Sequence, residues 1–313
     1  MPHQANRREF LSRSGLALAG LSTSGLMSAQ LPAAEEAAPF HFLHLTDMHV
    51  QPELRATEGW RQCIAKVNSL SPRPDFIITG GDLIMDALAV DADRIEQQWS
   101  LFDTGMKELE IPAYHVVGNH DVGGWSSKGT LSRDDRYYGK RVFADRYGDG
   151  KTYRSFDHKG WHFILLDSIG QATDSPDYIG HIDEAQLDWL KRDLEATGKA
   201  TPIVIVTHIP FYSAMHQMLS GPTKPIPPSA LVTNVFEFRK LLQQHNVKLV
   251  LSGHGHVRER IELVGITHIQ SGAVCGMWWK GPVFGDAEAF GVVTCHRDSF
   301  DYRFQDFDWN AKG

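Results

Sequence analysis

From residue 40 onward, short apolar runs alternate with stretches of helical periodicity, and the chain closes on several short strand-like segments. That order predicts an α/β fold in which two packed sheets are flanked by helices. At 313 residues the chain can bury the large core such a fold needs, and one α/β domain can reach this size. The net charge of −7 comes from acidic and basic residues mixed along the chain. No basic block offers a broad footprint for nucleic acid, so none is expected as a partner.

The first segment reads as an address. Asn6-Arg7-Arg8-Glu9-Phe10-Leu11-Ser12-Arg13 precedes a weakly apolar stretch from Leu16 to Met27 and a small-residue tail. A charged head, a short apolar middle and such a tail describe a bacterial export signal. The paired arginines followed by Phe-Leu resemble the twin-arginine signal, which carries proteins across a membrane already folded. Residues 1–38 are therefore expected to be the signal, cleaved between Ala29 and Ala38, and residues 39–313 the folded domain. The twin-arginine machinery is the expected partner, and the periplasm or another exported compartment the expected location. The apolar stretch is too short and interrupted for stable membrane insertion. Three cysteines, Cys63, Cys275 and Cys295, show no C-x-x-C spacing and make no disulfide framework.

The elements follow in order. Phe40–Leu45, Phe76–Thr79, Ala113–Val117, Trp161–Leu166, Ile203–Val206 and Val247–Leu251 are short apolar runs that read as buried strands. Arg61–Leu70, Asp93–Leu109, Asp183–Ala196 and Val235–His245 read as helices between them. Asp183 is placed to cap the third, with Gln186 three residues on. Pro225, Pro227 and Pro228 make Ser220–Ser229 a loop. Arg258–Leu263, Thr267–Gln270, Phe290–Cys295 and Phe300–Gln305 lack helical periodicity and read as short strands. There is no internal repeat and no sign of a second domain.

In open α/β sheets, sites form beyond the carboxyl ends of strands. Five predicted strands run into polar clusters there: Asp47-Met48-His49, Gly80-Gly81-Asp82, Gly118-Asn119-His120-Asp121, Thr207-His208 and Gly253-His254-Gly255-His256. Asp-x-His and His-x-His spacing lets both members of a pair reach one site from a short turn. Each cluster alone is weak: Gly-Asn-His-Asp can be a simple Asx turn, and a lone His is commonly structural. Their shared strand-end position points to a metal site, for which His and carboxylate are suitable donors.

The set D-x-H, G-D, G-N-H-D, a lone H and G-H-x-H resembles the calcineurin-like metallophosphoesterase family, from about Phe42 to Val274. The resemblance implies a four-layer α/β/β/α sandwich of two mixed β-sheets. It implies one metal on Asp47, His49 and His256, the other on Asn119, His208 and His254, and Asp82 bridging both. His120 matches the family's non-ligand histidine beside the leaving group. Purple acid phosphatases carry a ligand Tyr three residues after the bridging Asp; here Met85 stands there, so their iron–tyrosinate chromophore is not expected.

The N/O donor set suits two transition-metal ions, Fe, Mn, Zn or Co, better than Ca or Mg. Two such ions roughly 3.5–4 Å apart can share a hydroxide and clamp a phosphoryl group, so hydrolysis of small organic phosphate esters is the expected activity. His120 would donate to the departing oxygen, with Asp121 or Asp86 orienting it. Adjacent Trp278 and Trp279 cannot both face a core if their segment is extended, so one can line the cleft with Lys280, or both can plug the second sheet. His44, His115 and His162 alternate within strands and read as packing residues. His41, His158, His181, His245 and His268 lack a partner motif, and His216 is a candidate substrate contact. Protein serine/threonine phosphatase, nuclease and metal-free scaffold are the competing readings.

Overall fold

The computed structural model describes residues 38–312, and the expected signal segment lies outside them apart from Ala38. In chain order the elements are β1 (Phe40–Leu45), α1 (Ala56–Asn68), β2 (Phe76–Thr79), α2 (Ala92–Met106), β3 (Ala113–His115), α3 (Arg141–Tyr147), β4 (Arg154–His158) and β5 (Trp161–Leu165). They continue with β6 (Ile169–Gln171), β7 (Tyr178–Gly180), α4 (Glu184–Thr197), β8 (Ile203–Val206), α5 (Met215–Ser220), α6 (Val235–Leu242), β9 (Val247–Ser252), β10 (Arg258–Leu263), β11 (Ile266–Ser271), β12 (Ala289–Cys295) and β13 (Phe300–Asp306).

One sheet has the order β13-β12-β1-β2-β3, the other β10-β11-β9-β8-β5-β4, and β6 and β7 pair by themselves. Both large sheets are mixed: β1, β2 and β3 run parallel, with β12 antiparallel to β1. Likewise β5, β8, β9 and β11 run parallel, while β4 and β10 are antiparallel edges.

Strands buried on both faces explain why the apolar runs are nearly continuous. Phe42, Phe76 and Ile78 of the first sheet pack against Phe163, Leu165, Val206 and Leu251 of the second. The Phe42 and Phe163 rings meet edge to face at 5.2 Å. The alternate residues turn to the helices. Leu43, Leu45, Ile77, Ile164, Ile203 and Ile205 share a core with Trp60, Ile64, Trp99 and Phe102 of α1 and α2 and with Leu190, Leu194, Phe238 and Leu242 of α4 and α6. This is the expected four-layer sandwich.

Asp183 caps α4 as expected, its side chain accepting from the backbone N of Gln186 at 2.8 Å. Helix α1 starts five residues before the predicted position because Gly59 lies inside it. A Cβ there would stand 2.2 Å from the Trp279 ring, so tertiary packing selects a glycine that local propensity would penalise. The elements not predicted are α3, β4, β6, β7 and α5. Strand β4 is an edge strand with polar Arg154, Ser155, Asp157 and His158, and β6 and β7 have three residues each, too few to show a period.

Candidate metal centre

Parallel pairing continues past the ends of β1 and β2. Asp47 N donates to Gly81 O at 3.0 Å, and His49 N to Asp82 O at 2.9 Å, which sets the D-x-H turn beside the G-D turn. Gly253 N donates to His208 O at 3.0 Å and joins the Thr207-His208 turn to the G-H-x-H turn in the same way. Asp47, His49, Asp82, His254 and His256 all adopt left-handed backbone, with φ of +55°, +42°, +53°, +70° and +56°. Each such residue costs about 1–2 kcal/mol in a non-glycine. The conformation turns both members of Asp47/His49 and of His254/His256 inward while Met48 stays in the core. Gly118 must be small: a Cβ there would lie 2.1 Å from Asp82 N and 2.2 Å from Asp82 Oδ1.

All seven residues expected to bind metal converge. His208 Nδ1 donates to Gly80 O at 2.8 Å, and His256 Nδ1 to Gly276 O at 2.8 Å, so each ring directs Nε2 at the centre. There His256 Nε2 lies 3.1 Å from His49 Nε2 and 3.4 Å from Asp47 Oδ1. Asp82 Oδ2 lies 3.4 Å from His49 Nε2 and 3.2 Å from His208 Nε2, a position between the two halves. Asn119 Oδ1 lies 3.0 Å from His208 Nε2 and 2.9 Å from His254 Nδ1. Lone-pair atoms crowded this closely need protons or cations among them, and the imidazole, carboxylate and amide donors fit transition-metal ions. Among the described residues three trios could hold an ion, His49/His256/Cys275, His49/Asp82/His120 and Asp82/His208/His254, and the last two share Asp82.

Burial lowers His49 and His254 to pKa values of about 3, which leaves them neutral. It also opposes charge on His208 and Asp82, but their mutual attraction wins. His208 rises to about 9, and Asp82 is held well below the carboxylate range. For Asp47, burial is outweighed by His256, and its pKa falls to about 2. Protons on His208 therefore compete with cations for the same Nε2.

His120 is a quarter exposed, its backbone N donates to Asp82 Oδ1 at 2.8 Å, and its ring meets His49 edge-on at 4.8 Å. Its Nδ1 lies 3.7 Å from Asp86 Oδ1. Burial works against its charge, but the Asp82 and Asp86 carboxylates raise its pKa. The expected alternative partner, Asp121, points elsewhere. Asp121 Oδ1 accepts from Leu83 N at 2.8 Å and Ile84 N at 3.2 Å, and Oδ2 from Gly118 N at 2.8 Å. It ties the G-D turn to the G-N-H-D turn and does not orient the His120 ring. Burial, with Asp82 adding to it, pushes Asp121 up to about 7.

The tryptophan segment is a turn rather than an extended run, and its two rings part. Trp279 is buried and its Nε1 donates to His49 O at 3.1 Å, while Trp278 sits 4.8 Å from the His256 ring. Lys280 is exposed. His44 and His115 are buried and bond Ser271 and Thr79. His216 lies on α5 and is half-buried.

Sequence reasoning missed three neighbours. Thr46 Oγ1 donates to Asp47 Oδ2 at 2.7 Å, Cys275 Sγ lies 3.9 Å from His256 Nδ1, and the Tyr178 ring approaches His254 at 6.4 Å. Thr46 adjoins the D-x-H cluster and was findable; β7, which carries Tyr178, left no periodic signal.

The sequence model of the calcineurin-like phosphoesterase family matches residues 40–258. A 3′,5′-cyclic-nucleotide phosphodiesterase of Nostoc sp. is 24% identical over 77% of this chain and 80% of its own length. The human serine/threonine-protein phosphatase CPPED1 is 29% identical over 52% of this chain, and the match spans 47% of that protein. Among solved structures, a dimetal phosphatase from Danio rerio superposes with a TM-score of 0.57 at 17% identity, covering 86% of this chain and 99% of the other. GAP50, the anchor in the inner membrane complex of Plasmodium, has the same fold, with a TM-score of 0.51 at 16% identity over 86% of this chain and 85% of the other.

Proposed function

The chain belongs to the calcineurin-like phosphoesterase family and is a metal-dependent phosphoesterase, and from that premise we propose that it hydrolyses phosphate esters of small organic molecules at a pair of transition-metal ions. Asp47, His49 and His256 would hold one ion, Asn119, His208 and His254 the other, and Asp82 both. The observation that carries this reading is the convergence of these seven side chains, with Asp82 Oδ2 between His49 and His208. Bound there, the ions would supply Lewis acidity and make water a nucleophile at neutral pH.

The chain's own residues do the rest. Gly80 and Gly276 carbonyls fix the His208 and His256 rings, and Asp121 holds the two turns that carry Asp82 and Asn119 together. His120, with its pKa raised by Asp82 and Asp86 against the effect of burial, holds a proton beside His49 and delivers it to the departing ester oxygen.

The match to CPPED1 favours one second reading, a phosphatase acting on phosphoserine in proteins. We propose export as well: the paired Arg7-Arg8 ahead of Phe10-Leu11 would carry the enzyme to a substrate met outside the inner membrane, such as a scavenged ester. Metal analysis and a mono- versus bis-p-nitrophenyl phosphate panel test the reading. Two metals per chain with ester turnover is the expected result; a folded chain that takes up no Mn, Fe, Zn or Co would sink it. Lysines at Arg7 and Arg8 should retain the protein inside the cell in fractionation.

A further inference from the structure

Adjacent non-glycine residues with left-handed backbone are rare, and Trp278 (φ +48°) and Trp279 (φ +66°) are such a pair. Trp279 anchors the turn. Its ring is buried against Gly59 of α1 and meets Trp309 edge-on, its Nε1 donates to His49 O, and its backbone N donates to Cys275 O at 2.7 Å. Trp278 is thrown the other way. Its ring centre stands 4.8 Å from His256 and 6.2 Å from His49, and His120 stands 4.8 Å from that same His49. The Trp278 side chain remains 36% exposed although a packed core lies beside it. Stability alone does not account for a strained backbone that leaves about a third of Trp278 exposed, because burying the rest of the ring would be favourable. Outliers of this kind concentrate where they position a group for function.

We propose that Trp278 is a specificity-determining residue, the wall on which a planar organic group of the ester, an aryl or nucleobase ring, stacks while the phosphate sits at the histidine–carboxylate cluster. This rests on the phosphoesterase reading above. Trp278 and His120 both adjoin His49, so the wall stands at the same end of the cluster as the proton donor. An indole face also attracts quaternary ammonium groups, but these are held by cages of several aromatic rings. Tyr178, at the other end of the cluster, approaches His254 instead.

The test compares Trp278→Ala and Trp278→Phe with the wild-type holoenzyme on two planar esters, 1-naphthyl phosphate and bis(p-nitrophenyl) phosphate, and two glycerol esters, glycerol 2-phosphate and glycerophosphoethanolamine. Taking the variant-to-wild-type ratio within each substrate cancels leaving-group reactivity. Trp278→Ala should lower kcat/KM about tenfold more for the planar esters than for the glycerol esters, the size of one ring stack, and Trp278→Phe should restore most of the difference. A binding arm uses phenylphosphonate and methylphosphonate, whose P–C bonds are not hydrolysed: calorimetry should show a phenyl preference that Trp278→Ala erases. Equal losses on all four esters, a phenyl preference that survives Trp278→Ala, or a loss confined to the glycerol esters would overturn the proposal. A wild type that hydrolyses none of the esters, yet prefers phenylphosphonate through Trp278, would sink the hydrolase reading and keep the wall.

Discussion

Replacing Asp121 separates two roles that its place beside His120 in sequence leaves entangled. Its carboxylate accepts from three buried backbone amides, those of Leu83, Ile84 and Gly118. In Asp121→Ala these donors lose their partner at about 1–3 kcal/mol each, and because two share one oxygen the total is about 3–6 kcal/mol. Over the 275 described residues, an unfolding entropy near 2.1 cal/mol/K per residue turns about 4 kcal/mol into a Tm drop of roughly 7 °C. Asp121→Asn keeps one acceptor oxygen and turns an NH2 towards an amide donor, so it should fall between. Calorimetry on chelator-stripped protein reads this without the added stability of bound metal. Because Asp121 joins the turns that carry Asp82 and Asn119, metal per chain should also fall, while kcat per metal-loaded enzyme stays within about threefold, given that no reacting group touches it. An unchanged Tm together with a rate loss as large as that of His120→Ala would refute the bracing role and restore Asp121 as the residue that orients His120.

His120→Ala should keep both metals and lose about 10²–10⁴-fold in rate, whereas Asp82→Ala should lose metal; equal metal loss in the two variants would remove His120 from the chemistry. Gly118→Ala puts a methyl 2.2 Å from Asp82 Oδ1, so metal content should fall while circular dichroism still reports the native fold; full metal occupancy would contradict the geometry. Far from the site, His162 is bonded by Asp157 at 2.7 Å and Asp193 at 2.9 Å. Burial opposes its charge, but the two carboxylates raise its folded pKa. That stabilisation is complete below the unfolded value of about 6.5 and is lost as pH rises through the raised folded value. Urea midpoints between about pH 6 and about pH 9 should therefore fall more steeply for wild type than for His162→Asn, and parallel curves would refute the pair's contribution.

The order of strands and helices, the cap on α4 and the five polar clusters at strand ends were legible in the sequence. Each is a local property: an apolar period, a side chain three residues from an amide, or a turn residue after a strand. Where side chains point was not legible. Whether His120 faces Asp86 or Asp121 depends on how two turns 38 residues apart in sequence lock through Leu83 N. Trp278 and Trp279 part because Gly59 and the His49 carbonyl hold one of them. The strained backbone at five of the seven converging residues has no local cause, since left-handed φ is unfavourable for Asp and His considered alone. It persists because contacts such as the bond from His254 N to Asp47 Oδ1, 207 residues apart, offset the strain only once the sheets have packed. Residue types and their order along the chain are one-dimensional information; directions and distances exist only after the long-range contacts form.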